Sequence, residues 1–113
     1  VSSTVAWLFP GQGSQVVGMG KALAEHSQLA RLTFEQANEA LGFDLAALCW
    51  NGSQEELDRT VNAQPALLTT SVAALRAARE AGLTERPVVA AGHSLGEFSA
   101  LVALGVLALP DAV

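Results

Sequence analysis

Val88-Val89-Ala90-Ala91-Gly92-His93-Ser94-Leu95-Gly96-Glu97 is the stretch on which the fold turns. The apolar run up to Gly92 reads as a buried strand, and Leu95 to Leu104 reads as a helix closed by Gly105. Between them Gly92-His93-Ser94-Leu95-Gly96 matches G-x-S-x-G, the pattern of a nucleophile elbow. An elbow bends a strand sharply into a helix, so that one side chain protrudes above the sheet edge. The bend leaves little room beside it, hence Gly92 and Gly96. Ser94 then lies at a helix N-terminus, where free N–H groups and the helix dipole favour a developing negative charge. The N–H of Leu95 can donate to that oxyanion. The bare pattern also occurs as a structural turn; the strand-like run before it and the helical run after it favour the elbow.

Working outward, Val5-Ala6-Trp7-Leu8-Phe9 reads as another buried strand, ended by Pro10-Gly11 and followed by a glycine-rich loop to Gly20. Lys21 to Leu41 favours helix in two pieces, with Gly42 as the stop. Asn51-Gly52 marks a turn, and Ser53 with Glu56 forms a capping box for a short helix. Pro65 fits the first position of a longer helix that carries Leu68, Val72 and Leu75 at helical spacing and stops at Gly82. The opposite side of this helix, Ser71, Ala74 and Ala78, suits close packing on a second face. Pro110-Asp111 opens a further helix. Strand, helices, strand, helix is the order of a parallel α/β sheet.

The glycine-rich loop fails both tests for a phosphate binder. A dinucleotide fingerprint beginning at Gly11 and Gly13 needs a third Gly where Val16 stands. A P-loop from Gly13 to Gly18 needs Lys where Met19 stands.

Composition points to a piece of a larger body. The chain has 113 residues, 50% of them hydrophobic and 15% charged. Counting glycine brings the apolar share to roughly 59%, against about 45–50% in ordinary domains, which also carry about 25% charged residues. A small domain has much surface for its volume and needs more charge, so much of this apolar surface is expected to be covered by more protein. The sequence ends at Val113, inside the first turn of the helix opened by Pro110, which also reads as truncation. The net charge of −5 argues against nucleic acid or an anionic membrane as partner. Cys49, the lone cysteine, excludes an internal disulfide framework and reads as a small buried hydrophobe. With no signal segment and no apolar run of ~20 residues, a cytoplasmic location is expected.

Three separated motifs resemble the malonyl-CoA:acyl-carrier-protein transacylase family, which includes the acyltransferase domains of polyketide and fatty-acid synthases. They are Phe9-Pro10-Gly11-Gln12-Gly13-Ser14-Gln15, Asn62-Ala63-Gln64-Pro65-Ala66 and Gly92-His93-Ser94-Leu95-Gly96-Glu97. The resemblance implies that Ser94 carries the acyl group as an ester and that the N–H groups of Gln12 and Leu95 form the oxyanion hole. It implies that Gln64 and His93 line the acyl site, although Gln64 also suits a plain capping role for the helix begun by Pro65. Gly11, Gly13, Gly92 and Gly96 are the structural glycines of the motifs. His93, adjacent to the nucleophile, is expected to point away from its hydroxyl and is a poor general base; His26 is expected at the surface.

The fold implied is the N-terminal portion of an α/β-hydrolase-like parallel-sheet subdomain. It is incomplete without a downstream chain that holds the general-base histidine, the carboxylate-binding arginine and an inserted ferredoxin-like subdomain. Residues 1–113 are thus expected to be a truncated, by themselves inactive, segment of an acyltransferase. Its partners would be malonyl-CoA, an acyl carrier protein and the remainder of its own polypeptide or a complementing chain. No metal and no cofactor are implied, CoA and phosphopantetheine being substrate carriers. Two other readings stand beside this one: a serine hydrolase or thioesterase sharing the elbow, and a catalytically incomplete structural half that needs a second chain.

Overall fold

In the computed structural model, residues 5–83, 87 and 89–113 are described. Val88 and the Glu85-Arg86 lead-in to the second strand lie outside them. The elements run β1 (Ala6–Phe9), α1 (Lys21–His26), α2 (Gln28–Leu41), α3 (Leu45–Asn51), α4 (Gln54–Asp58), α5 (Thr60–Glu80), β2 (Val89–Gly92), α6 (Gly96–Ala103) and α7 (Leu109–Ala112). β1 and β2 pair in parallel, with Ala6 opposite Val89 and Phe9 opposite Gly92. The mixed α/β class expected from the sequence is therefore present, with a small sheet.

Local chemistry accounts for most boundaries. Ser27 caps α2 by accepting from the Ala30 N–H at 3.1 Å, and its own hydroxyl donates to Glu80 at 2.9 Å, tying the α1–α2 junction to the end of α5. Gly42 ends α2 at φ +79°, a left-handed conformation that costs glycine little. At Gly82 and Gly105 the chain closes α5 and α6 with paired bonds of the Schellman type. Leu83 and Val106 donate back to Ala78 and Leu101, while the two glycines donate to Arg79 and Val102. Of the expected capping box at α4, the Ser53 half forms, accepting from Glu56 N at 3.2 Å; the Glu56 carboxylate instead pairs with Arg59 at 3.4 Å.

The structure departs from the sequence reading in three places. α5 does not begin at Pro65 but at Thr60, with the proline inside it. Proline removes the bond that its N–H would donate to the carbonyl of Val61. Val61 is 65% exposed and lies in the first turn of the helix, so the lost bond falls at the solvent-exposed end of α5 rather than in its buried middle. Between Gly42 and Asn51, where the sequence signals no element, α3 forms and is capped by Asp44, whose carboxylate accepts from Ala47 N at 2.9 Å. The strands, expected to be buried, are covered on one side only. Trp7 is 9% exposed and lies under the Arg79 guanidinium, 5.0 Å from its ring centre, whereas Leu8 is 79% exposed.

The main core lies between α2 and α5 and extends under α3 and α4. Ala30, Phe34 and Ala37 meet Ala66 and Ala73, with Leu45, Cys49 and Leu57 closing the end. The small alanines let the two long helices approach, and Phe34 fills the space beside them, edge-on to Trp50 at 5.0 Å. Each fully buried Leu or Phe contributes about 1.5–3 kcal/mol relative to exposure. Leu68 and Val72, on another face of α5, pack with Leu109 of α7. α5 is thereby gripped from two sides, which fixes the position of its N-terminal turn near the sheet.

Candidate active site

Parallel pairing of Phe9 with Gly92 brings the loop after β1 and the turn after β2 to the same edge of the sheet. His93 N–H continues the ladder by donating to Phe9 O at 3.4 Å. Beyond it the chain turns. Ser94 has φ +54°, and among the described residues it is the non-glycine residue with positive φ. A side chain in that region costs about 1–2 kcal/mol, so packing around it must hold the backbone there.

The glycines show what does the holding. A Cβ on Gly92 would run into the carbonyl group of Gly96, and a Cβ on Gly96 would run into the Phe9 carbonyl oxygen. The strand end and the start of α6 are thus pressed together, and the only way from one to the other is a tight left-handed step at Ser94. Turn bonds Gly96 N to His93 O (3.0 Å), Glu97 N to Ser94 O (3.0 Å) and Phe98 N to Leu95 O (2.9 Å) complete the bend. Ser94 is exposed, while Leu95 and Gly96 are buried beneath it.

Gly11 brings the other loop into contact with this turn. A Cβ there would collide with the His93 carbonyl oxygen and lie 3.2 Å from His93 Nδ1. Gln12 follows immediately. Its side-chain amide donates to Thr60 Oγ1 at 2.9 Å, and its carbonyl accepts from Gln64 Nε2 at 3.4 Å. Gln12, Gln64, His93 and Ser94, far apart in sequence, are therefore gathered by one sheet edge and the first turns of α5. Among the described residues the backbone N–H groups of Gln12 and Leu95 donate to no other group of the chain. A cleft of about 580 Å³ opens beside the turn, lined by Thr60, Gln64, Pro65, Leu95 and Phe98.

Thr60 is the site residue that the sequence did not disclose. It stands four positions before Gln64 on one helical face, but that spacing has meaning only once α5 is known to start at Thr60 rather than at Pro65. His26 is exposed on α1 and borders a different cavity, among Ser27, Ala77 and Glu80. Cys49 is no rival nucleophile: burial pushes its thiol up to about 12, so it stays protonated at neutral pH. Among the described residues no helix is long and apolar enough to cross a membrane.

Comparison with known proteins gives the family and the fold. Residues 6–113 match the family described as acyl transferase domain. The malonyl CoA-acyl carrier protein transacylase of Bacillus subtilis (strain 168) is 55% identical over 111 residues, covering 98% of this chain and 34% of the relative. The crystal structure of an acyl carrier protein S-malonyltransferase from Vibrio cholerae superposes with a TM-score of 0.92 at 52% identity, covering 97% of this chain and 36% of that one. A type II PKS acyl-carrier protein in complex with its malonyl-transacylase superposes at 0.91 with 48% identity, covering 97% and 35%. The chain spans about a third of the length of the proteins it matches.

Proposed function

The chain belongs to the acyl transferase domain family, and from that premise we propose that it transfers a malonyl group from CoA to an acyl carrier protein through an ester on Ser94. The observation that carries this is the left-handed, exposed serine between two glycines that admit no side chain. A fold tolerates such a backbone at a non-glycine residue when the side chain it presents is worth the strain.

Ser94 Oγ attacks the thioester carbonyl of malonyl-CoA, and its proton passes to a histidine contributed by polypeptide outside these residues. The carbonyl oxygen becomes an oxyanion and accepts from the N–H groups of Gln12 and Leu95, which donate to no other group among the described residues. Collapse of the tetrahedral intermediate breaks the C–S bond, and CoA leaves as the thiol after taking up the proton. The phosphopantetheine thiol of the carrier protein then attacks the ester by the same route and regenerates the serine hydroxyl. Gln64 and His93 border the acyl group. Gln64 acts chiefly by holding the Gln12 side chain, together with Thr60.

In this reading the 113 residues form the N-terminal part of an α/β-hydrolase-like subdomain. The remaining polypeptide, with its ferredoxin-like insertion, supplies the base and the arginine that pairs with the malonyl carboxylate. The protein works in the cytoplasm. Neither a metal nor a resident cofactor takes part.

Incubating the complete protein with radiolabelled malonyl-CoA should place label on Ser94, and Ser94→Ala should remove it. Persistent covalent label in Ser94→Ala overturns the proposal. A serine hydrolase would instead release free malonate without passing label to a carrier protein, so the fate of the label separates the two.

A further inference from the structure

The glycine-rich loop is tied down by a set of side chains that the proposed reaction leaves unused. Gly13 N–H donates to Gln15 Oε1 at 2.8 Å. The other end of that side chain, Nε2, donates to Asp58 Oδ1 at 3.0 Å. Gln54 Nε2 donates to the same carboxylate oxygen at 2.7 Å and to the Gln15 carbonyl at 3.3 Å, while Gln54 Oε1 accepts from Val17 N–H at 3.0 Å. A continuous path of hydrogen bonds therefore runs from the peptide that follows Gln12 to a carboxylate at the end of α4.

Packing does not do this job. Gly13 has φ +111°, and nothing lies within 4 Å of where its Cβ would be. The backbone at that point is free to swing unless hydrogen bonds stop it. On the near side Gln12 is anchored through its own side chain to Thr60 and Gln64; Ser14 N–H closes the turn by donating to Gly11 O at 3.3 Å, and on the far side the Gln15–Asp58 path adds a direct hold on the Gln12–Gly13 peptide. An ionised carboxylate accepts two amide donors more strongly than a neutral group would, which suits a hub.

We propose that Asp58, acting through Gln15 and with Gln54 beside it, is a positioning residue that holds the Gly11–Gly13 turn so that the Gln12 N–H points at the reacting carbonyl. The inference rests on the oxyanion role proposed above for Gln12. Asp58 touches no substrate. Its effect is on the transition state, where donor placement counts most: an error of about 1 Å in such a placement can cost 10²-fold.

The test uses the complete protein and steady-state transfer from malonyl-CoA to a carrier protein. Asp58→Leu should lower kcat by about 10- to 100-fold with KM within about twofold. Asp58→Asn, which keeps an oxygen at Oδ1, should recover most of the loss. Gln15→Leu should match Asp58→Leu, and the double variant should lose no more than either, because both break one path. Gln15→Glu keeps the acceptor for Gly13 but sets two carboxylates together. Its activity relative to wild type should rise as pH falls and the pair comes to share a proton. An unchanged kcat in a folded Asp58→Leu, a loss confined to KM, additive single losses, or an Asn variant as poor as Leu would each overturn the inference. If Asp58→Leu does not fold, the Gln15→Glu profile decides alone, and a flat ratio sinks it. Ser94→Ala run alongside separates the two levels. Label surviving in it defeats the serine mechanism, whereas Ser94-dependent label with kcat indifferent to Asp58 defeats only the positioning role.

Discussion

At the elbow, Gly92 and Gly96 are hemmed in, and a Cβ on either would enter the backbone of a neighbouring segment. In the loop after β1, Gly13 and Gly18 have open space around them, yet they sit at φ +111° and +98°. The two regions look alike in sequence and need glycine for different reasons. The first need is steric and comes from tertiary neighbours. The second is conformational and comes from the path of the chain itself. Ser94 combines the two, taking the backbone of the second kind, at φ +54°, because it is trapped by the first.

Substitution can break this contrast. Gly92→Ala has no flexible side chain to push aside, only the backbone of Gly96 and Glu97. It should cost more than about 4 kcal/mol in denaturant unfolding of the complete protein and abolish Ser94 acylation. A loss under about 1 kcal/mol would mean that the crowding is not real. Gly13→Ala should behave differently: the protein folds, stability falls by about 1–3 kcal/mol from backbone strain, and transfer slows because the Gln12 peptide shifts. Full activity and stability there would show that the loop can relax without consequence. The smallest effect sharpens the comparison most. Ser94→Gly and Ser94→Ala both lack the hydroxyl and both should be inactive, yet the glycine variant should be the more stable by about 1 kcal/mol, because it alone adopts φ +54° without penalty. Equal stability would remove the claim of strain at Ser94.

Much of this was legible in advance because the signals are local. Gly42, Gly82 and Gly105 each close a helix by adopting positive φ, and each follows directly on the apolar period it ends. The elbow pattern works in the same way, since strand, bend and helix are neighbours in the chain. Where local signals competed, the sequence misled. Pro65 looks like a helix start, but five residues before it join the same helix because Ala63, Ala66 and Leu67 bury together on the core side. α3 carries no periodic signal because seven residues are too few to establish a period.

The amino-acid order determined which residues are the candidates for chemistry, Ser94 between its glycines and Gln12 in its loop, and it determined the parallel α/β order. Only the tertiary structure decided how they are held. The pairing of Phe9 with Gly92, the seat of Gly11 against His93, and the bonds from Gln12 to Thr60 and from Gln15 to Asp58 join residues 43 or more positions apart. Such contacts follow no periodicity along the chain. They exist because the α2–α5 core and the strand pairing fix where distant segments meet, and hydrogen bonds form between whatever polar groups are left facing one another there.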